Sequence, residues 1–304
     1  MKKARERKEH KPWERFTIFD IILYFFLAIL TFSMLFPLWN AVVLSFNDGT
    51  DARMGGIYFW PRVFTLENYK KVIADMAVWR AFGVSVLRTL LGTFGSLLVT
   101  SLFSYAVSRR VLVFQKFYMF LLLLSMFFSA GMIPTFLAFR SLGMYNNFLV
   151  YIVPWLFNAF YAQILISFFR GIPVGLLESA KIDGAGEWTI YGRIIVPLSK
   201  PAFAAVGLFI AINHWNAWQD NMLYMKKEQW NTLSFLFVKM IRSQEYLENL
   251  ASATGVSELG RASAVSSTTL QLATMMVSIV PIMCVYPFLQ KHFTSGIMIG
   301  SIKG

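Results

Sequence analysis

Six runs of this sequence contain no Asp, Glu, Lys or Arg, and each is at least 18 residues long. They are residues 21–47, 89–108, 117–139, 141–169, 201–219 and 262–290. A helix that crosses the hydrocarbon core of a bilayer needs about 20 mostly apolar residues, so each run can cross once. Lipid offers no hydrogen-bond partner to the backbone, which favours a helix in every run. The sequence therefore predicts an all-α membrane protein with six transmembrane helices.

The composition agrees with a membrane protein. Hydrophobic residues make up 57% of the 304 residues and charged residues 14%, whereas roughly a quarter of a typical soluble domain is charged. The single cysteine excludes a disulfide within the chain and a thiolate metal cluster. A net charge of +12 could indicate nucleic acid, but basic membrane proteins commonly owe such a surplus to their cytoplasmic side. We expect the lipid bilayer, and no nucleic acid, as a partner.

The distribution of Lys and Arg predicts the orientation. Residues 1–15 carry seven of them, and the segments 109–116, 170–200 and 291–304 carry nine more. These short segments flank the apolar runs, and the positive-inside rule places such segments in the cytoplasm. We therefore expect both termini to be cytoplasmic, in a multi-pass membrane protein.

This topology divides the chain into a few parts. We expect a basic cytoplasmic N-terminus and then a single transmembrane domain with two outer loops, one cytoplasmic loop and a C-terminal tail. The corresponding residues are 1–15, 16–304, about 48–84 and about 220–261 for the outer loops, about 171–200 for the cytoplasmic loop, and 291–304.

The cytoplasmic loop has the pattern of a folded helix-turn-helix. Pro173 suits a helix start, and Leu177 and Ala180 lie three residues apart on one side of that helix. Gly184 supplies a residue that can take positive φ just after the helix end. A two-sided helix outside the bilayer needs a surface for its apolar side, which could be the bundle, the membrane surface or a partner protein.

Several kinds of chemistry are missing from the sequence. There is no G-x-x-x-x-G-K-[ST] phosphate loop, so we expect the chain to bind no nucleotide cofactor of its own. His10, His214 and His292 lie on different segments without the spacing of a metal site or a general-base pair. We predict no catalytic residues, no metal site and no enzymatic activity.

Polar residues gather at the end of the fifth run. Asn213, Trp215, Asn216 and Trp218 offer amides and indoles, which bind sugars by hydrogen bonds and stacking. They could line a translocation path, or they could form an interfacial aromatic belt. Arg88, directly before the second run, is expected to extend its side chain to the membrane interface.

The cytoplasmic loop resembles the EAA loop of permease subunits in binding-protein-dependent ABC importers. The pattern E-A-A, three residues, glycine and a closing I-x-L-P reads here Glu178-Ser179-Ala180, then Asp183-Gly184-Ala185, then Ile194, Val196 and Pro197. Ser179 and Val196 are mild departures. The phrases Met132-Ile-Pro134, Trp215-Asn216 and Gly300-Ser-Ile-Lys-Gly304 resemble the carbohydrate branch, of the maltose-transporter type.

The resemblance implies a fold, a function and partners. It implies the bundle of a type I ABC importer permease, which forms half of a translocation pathway for sugars, including oligosaccharides. It also implies a second permease subunit, an extracellular or periplasmic solute-binding protein, and two ABC ATPase subunits that use ATP-Mg. By the same resemblance, the EAA loop contacts an ATPase, and Gly300, Ser301, Lys303 and Gly304 reach between the two ATPases.

Other functions remain open at this stage. An importer of the same mechanism could carry peptides, amino acids or ions, and a membrane scaffold without transport activity is a more distant reading. For the tail, a solvated C-terminus is the alternative.

Overall fold

The computed structural model describes residues 17–52, 54–109, 111–128, 130–254 and 268–284. In these ranges the chain forms helices and turns, with no β-strand and one isolated bridge between Asn47 and Phe64. The all-α prediction is therefore confirmed for the described residues. The α-helices are α1 (Ile18–Ser45), α2 (Gly49–Ala52), α3 (Glu67–Ala74), α4 (Met76–Ser108), α5 (Gln115–Phe127), α6 (Met132–Ser141), α7 (Ala159–Arg170), α8 (Val174–Ile182), α9 (Glu187–Ile190), α10 (Val196–Leu198), α11 (Lys200–Asn216), α12 (Gln219–Tyr224), α13 (Leu233–Thr254) and α14 (Thr268–Cys284).

In the described part of the chain, four helical segments of other types connect these elements. Three are 3₁₀-helices, at Phe148–Tyr151, Val153–Trp155 and Glu228–Trp230. The fourth is a π-helix at Tyr191–Ile195, which joins α9 to α10.

Each of the six apolar runs contains helix, but among the described residues only α1 and α4 are single helices long and apolar enough to cross a bilayer. Three further candidates are pairs of helices bent by more than 40° at a short break. The 3₁₀-helices at 148–155 meet α7 at 44°, and the segment 187–198 meets α11 at 81°. α14 is a shorter apolar helix.

The breaks have local causes. At the break before α7, Asn158 caps the helix with Oδ1, which accepts the N–H groups of Phe160 (3.0 Å) and Tyr161 (3.2 Å). At the break before α11, Pro201 lies in the first turn of the helix and has no N–H to continue a preceding helix. The bends therefore arise where the sequence supplies a cap or a proline.

Helix α4 is the centre of the bundle and packs mainly against α11 and α7. It presents small residues every fourth position, Gly92, Ser96, Thr100 and Ser104, and all of them are buried. Small side chains let helix backbones approach closely in membranes. Ser104 Oγ donates across this contact to the carbonyl of Ala162 at 3.1 Å.

Helix α4 begins earlier than the second apolar run. It starts at Met76, where the Asp75 side chain accepts the N–H of Ala77 at 2.8 Å, although the run starts only at residue 89. The charges at Arg80 and Arg88 end the run in the sequence without ending the helix. A charge therefore does not mark the helix boundary here.

The segment between α1 and α4 is folded against the bundle. The amide of Asn68, on α3, donates to the carbonyls of Ser45 (3.0 Å) and Asn47 (2.9 Å) and is buried. Thr269 Oγ1, at the start of α14, donates to Asn68 Oδ1 at 3.2 Å. One side chain thus joins three helices.

Candidate functional site

Helix α8 and the turn after it form the core of the EAA-like loop. Gly184 takes φ +81°, as the sequence predicts, and its N–H donates to the carbonyl of Lys181 at 3.0 Å. The N–H of Ala185 donates to the carbonyl of Ala180 at 2.9 Å, which closes the helix end in the manner of a Schellman motif. α9 then begins after Gly186. The loop is a folded unit and not a linker.

One side of α8 packs on the bundle. Leu177 is buried in an apolar cluster with Ile172, Ile190 and Ile195, and Ala180 and Ala185 are half-buried against the same cluster. This cluster continues into α4, α7 and α11, so α8 lies against the ends of the three central helices. A displacement of α8 would disturb all three.

Glu187 anchors the loop through its carboxylate. Lys181 Nζ lies 2.8 Å from Oε1, Arg109 Nη2 lies 3.5 Å from the same oxygen, and the hydroxyl of Tyr105 donates to Oε2. Partial burial acts to raise the pKa of Glu187, but hydrogen bonds from Lys181 and Tyr105 and the charge of Arg109 outweigh it and lower the pKa. Lys181 therefore pairs with Glu187, across the turn.

The other side of α8 and α9 is uncovered and partly apolar. Ile182 is 86% exposed and Trp188 is 77% exposed, and Val174 and Leu176 are also exposed. The polar EAA residues Glu178, Ser179 and Asp183 are exposed on α8 and at its C-cap, Gly184 is exposed in the turn that follows, and Pro197 is exposed on α10. An exposed apolar and aromatic patch with polar residues at its rim is typical of a protein contact.

A cavity of about 410 Å³ lies among α4, α6, the 3₁₀-helices at 148–155, α7, α11 and α12. Its volume falls in the range of small-molecule sites, about 300–1,000 Å³. Asn213 Nδ2 donates to the Tyr161 hydroxyl at 2.6 Å in its wall. The polar and aromatic residues of the wall include Ser96, Thr135, Trp155, Asn158, Tyr161, Asn213, His214, Gln219, Asp220 and Tyr224.

A buried ion pair supports this wall. Arg88 on α4 is fully buried, and its Nη1 donates to Asp220 Oδ1 (3.1 Å) and to the carbonyl of Ala217 (3.0 Å). Its Nη2 donates to Asp220 Oδ2, and its guanidinium lies 4.7 Å from the ring centre of Tyr151. The expectation that Arg88 extends to the membrane interface is wrong, because Asp220 neutralises the charge inside the bundle.

No protein-family model matches the chain, but whole-length relatives do. It is 34% identical to the polygalacturonan/rhamnogalacturonan transport system permease protein YtcP of Bacillus subtilis, over 94% of this chain and 99% of that protein. The chain belongs to the permeases of sugar ABC transport systems. This permease is also 28% identical to the arabinooligosaccharides transport system permease protein AraQ of Halalkalibacterium halodurans, over 91% of this chain and 94% of that protein.

A solved structure has the same fold as this permease. It is a chain from a crystal structure of a bacterial ABC transporter involved in the import of the acidic polysaccharide alginate, with a TM-score of 0.81 and 28% sequence identity. The match covers 91% of this permease and 96% of that chain. The resemblance drawn from the EAA-like loop is confirmed, and carbohydrate import is supported over peptide, amino-acid or ion import.

The four residues predicted to line a path have different positions in the permease. Asn213 lines the cavity, whereas Trp215 is buried against Phe82 and donates from Nε1 to the carbonyl of Ser278 at 3.1 Å. Asn216 is exposed outside the cavity wall, and Trp218 is half-buried beneath Arg242. The position of Trp215 is that of a packing residue.

Sequence reasoning missed several residues of the permease's cavity. Asn158 and Tyr161 come from the fourth apolar run, and they meet Asn213 only because of the 44° bend before α7. Asp220 ends the fifth run, and its proximity to Arg88 had no signal in the sequence beyond the two charges themselves. The predicted tail contacts Gly300, Ser301, Lys303 and Gly304 lie outside the described residues.

Proposed function

We propose that this permease forms half of an oligosaccharide pathway and is driven by an ATPase subunit that docks on α8 and α9. The single observation that supports docking most is the uncovered surface of Ile182 and Trp188 beside Glu178 and Asp183. The opposite side of α8 packs on the central helices, so movement of a docked subunit would be transmitted to the bundle. A rigid element in contact with both partners can couple their two states.

The proposal includes six membrane spans with both termini in the cytoplasm. The six apolar runs support this arrangement, because α1 and α4 are long apolar helices, the pair α5–α6 and the pair of residues 148–155 with α7 can each cross once, and α11 and α14 are shorter apolar helices. Basic residues flank the loop between α7 and α11, and this loop carries the docking surface. The chain would then be a multi-pass protein of the bacterial inner or plasma membrane.

The remaining partners follow from sugar ABC transport systems in general. A second permease would complete the pathway, two ATPases would hydrolyse ATP-Mg, and a solute-binding protein would deliver the sugar from outside. α1 supports the second permease, because most of its side chains from Ile18 to Leu35 are exposed in the isolated chain and need lipid or protein to cover them. This permease would contribute no catalytic residue.

The substrate class rests on the relatives. The names of YtcP and AraQ refer to polygalacturonan/rhamnogalacturonan and to arabinooligosaccharides, and the related solved transporter is involved in the import of the acidic polysaccharide alginate. All of these are polymers or oligomers of sugars. We infer that this permease also carries oligosaccharides through the cavity that contains Asn158, Tyr161 and Asn213.

The docking surface is tested with Ile182→Glu in the complete transporter. We expect the tagged variant to reach the membrane in normal amount, to lose most of the co-purifying ATPase and to lose uptake, because a carboxylate replaces an apolar contact. Leu142→Glu is the control, since Leu142 is 67% exposed in the turn after α6, away from α8. Normal ATPase retention and uptake with Ile182→Glu would contradict the proposal.

A further inference from the structure

We propose that a groove between α12 and α13 binds the carboxylate of a uronate unit in an oligosaccharide, with Arg242 as the partner of that carboxylate. The inference rests on the proposed function, in which this chain forms half of an oligosaccharide pathway. It adds a second sugar site, beside the cavity, and the chemical class of the sugar unit that this site takes.

The groove lies along one side of α13 and holds about 480 Å³, a volume in the range of small-molecule sites. The lining positions on α13 recur at helical spacing, so they share one face of the helix. α12 closes the groove with one side chain. The lining consists of Met222 on α12 and Phe235, Lys239, Arg242, Ser243 and Tyr246 on α13.

The guanidinium of Arg242 is held in place by groups that do not neutralise it. Nη1 donates to Met222 Sδ at 3.1 Å, and the guanidinium carbon lies 5.5 Å from the ring centre of Trp218. A thioether is a weak acceptor, and an aromatic face attracts a cation without cancelling its charge. Among the described residues no carboxylate forms an ion pair with Arg242. Its charge and most of its five N–H donors are therefore left for a ligand.

The other charges near the groove leave this charge uncompensated. Lys239 Nζ lies 2.9 Å from Glu228 Oε1, so these two residues carry no net charge together. Glu245 follows Arg242 by three positions on α13, but it is exposed and lies outside the described lining. The groove is therefore positive, which complements an anion.

A uronate unit offers the groups that this groove lacks. Its carboxylate can accept two parallel N–H bonds from one guanidinium, which a sugar hydroxyl cannot do. Ser243 Oγ donates to the carbonyl of Lys239 at 2.8 Å, so its lone pairs remain to accept a ring hydroxyl. The ring of Tyr246 is 66% exposed and provides an aromatic surface for the apolar face of a sugar.

The groove and the cavity of about 410 Å³ share α12 as a wall. Met222 lines the groove, whereas Gln219, Asp220, Leu223 and Tyr224 line the cavity. An α-helix with its side chains is about 10–12 Å across, so an oligosaccharide of several units can contact both sites. The groove thus lies where one unit can be held while the next enters the cavity.

Binding is tested on the complete transporter in nanodiscs of phosphatidylcholine, by saturation-transfer difference NMR titration without the solute-binding protein. The probes are α-1,4-linked trigalacturonate and the corresponding neutral galactotriose, which differ in their carboxylates. We expect trigalacturonate to bind about tenfold more tightly than galactotriose. Arg242→Gln should weaken trigalacturonate binding about tenfold and leave galactotriose binding unchanged. Added salt should weaken only the binding of trigalacturonate, because the contact is exposed.

Matched variants separate this contact from the overall charge of the protein. Arg80→Gln removes the same charge from an exposed position on α4, outside the groove, and should change neither affinity. Arg242→Lys keeps the charge without the planar fork, and the preference for trigalacturonate should fall to roughly threefold. Equal binding of both trisaccharides by the wild type, or equal effects of Arg242→Gln and Arg80→Gln, would overturn the inference.

Two other occupants of the groove would give different results. If phosphatidylglycerol in the nanodiscs abolishes the difference between the wild type and Arg242→Gln, a lipid phosphate occupies the groove and the inference is wrong. If Arg242→Gln leaves trigalacturonate binding intact but releases the solute-binding protein, the groove is a protein contact, and the inference is equally wrong.

The same preparation distinguishes the two proposals. If the ATPase subunits co-purify and hydrolyse ATP but the trisaccharides bind equally, the inference about the groove is wrong and the proposed function stands. If no ATPase co-purifies with the wild-type chain, the proposed function itself fails.

Discussion

Arg88 and Asp220 show how a charge can be placed inside a membrane bundle. Both residues are buried and hydrogen-bonded to each other, and a backbone carbonyl and an aromatic ring complete the surroundings of the guanidinium. Removing two charges from water is costly, and mutual attraction repays this cost only when the geometry is good. The loss of one partner alone should therefore be worse than the loss of both.

We predict that Arg88→Met and Asp220→Leu each destabilise the permease by about 3–5 kcal/mol, because each leaves an uncompensated buried charge. The double variant Arg88→Met/Asp220→Leu should recover a large part of that loss. The measurement is the thermal unfolding of the purified complex in one detergent. Arg62→Met is the control, since Arg62 and Asp51 form a half-exposed pair at 3.4 Å, which is worth less than about 1 kcal/mol. If the double variant lost as much stability as the two single variants together, the two residues would not be coupled.

At the scale of the element, α8 is fixed to the bundle on one side by Leu177 and at its C-terminal end by the contact of Lys181 with Glu187. Gly184 makes this arrangement possible, because its positive φ turns the chain back so that α9 follows closely. The anchor is partly exposed, with Lys181 and Glu187 side chains 43% and 48% exposed. Its contribution to the overall stability is therefore small, and its effect is on the position of α8.

We predict that Glu187→Gln increases amide hydrogen exchange in α8 about two- to fivefold at pH 7, without a measurable change in the unfolding temperature. The lowered pKa of Glu187 means that its stabilisation is fully present above the ordinary carboxyl pKa and is lost as the pH falls through the lowered value. In the wild type, amide exchange in α8, corrected for its intrinsic rate, should rise only when the pH falls through the lowered pKa of Glu187. Glu178→Gln, on the exposed side of α8, is the control and should leave exchange unchanged. If amide exchange in α8 of the Glu187→Gln variant kept the pH dependence of the wild type, another group would hold the helix.

At the scale of the whole molecule, the orientation decides which surface meets the ATPase. The short basic segments beside the apolar runs predict a cytoplasmic α8 and an external α13. Both helices are well separated in the chain, so they provide independent reporters. The fifth apolar run separates the two reporters, so an additional or missing span between them would place both on one side, and such an error before α8 would reverse both.

We predict that a cysteine replacing Glu187 does not react with an impermeant thiol reagent added outside intact cells, whereas a cysteine replacing Glu248 does. Both are made in a Cys284→Ser background, because Cys284 is the single cysteine of the chain. Permeabilised cells are the control, in which the cysteine at 187 should become reactive. The reverse pattern in intact cells would contradict the orientation and the docking of an ATPase on α8.

Local patterns in the sequence determined much of this protein. The apolar runs predict helices because lipid allows no other backbone arrangement in them, and the glycine in the EAA-like loop predicts a positive φ because that conformation is strained for other residues. The same loop carried the resemblance to ABC permeases, since its motif is continuous in the chain. These features depend on neighbours within a few residues.

The tertiary structure decided what depends on distant residues. The sequence could not show that Arg88 is paired, because Asp220 lies 132 positions away, nor that Trp215 packs inside while Asn213 faces a cavity. Asn158, Tyr161 and His214 meet there because the chain bends before α7 and Gly92 lets the imidazole lie against α4. The helices follow from hydrogen bonds within each segment, whereas the cavity exists only through the packing of several segments that lie far apart in the chain, which no local pattern encodes.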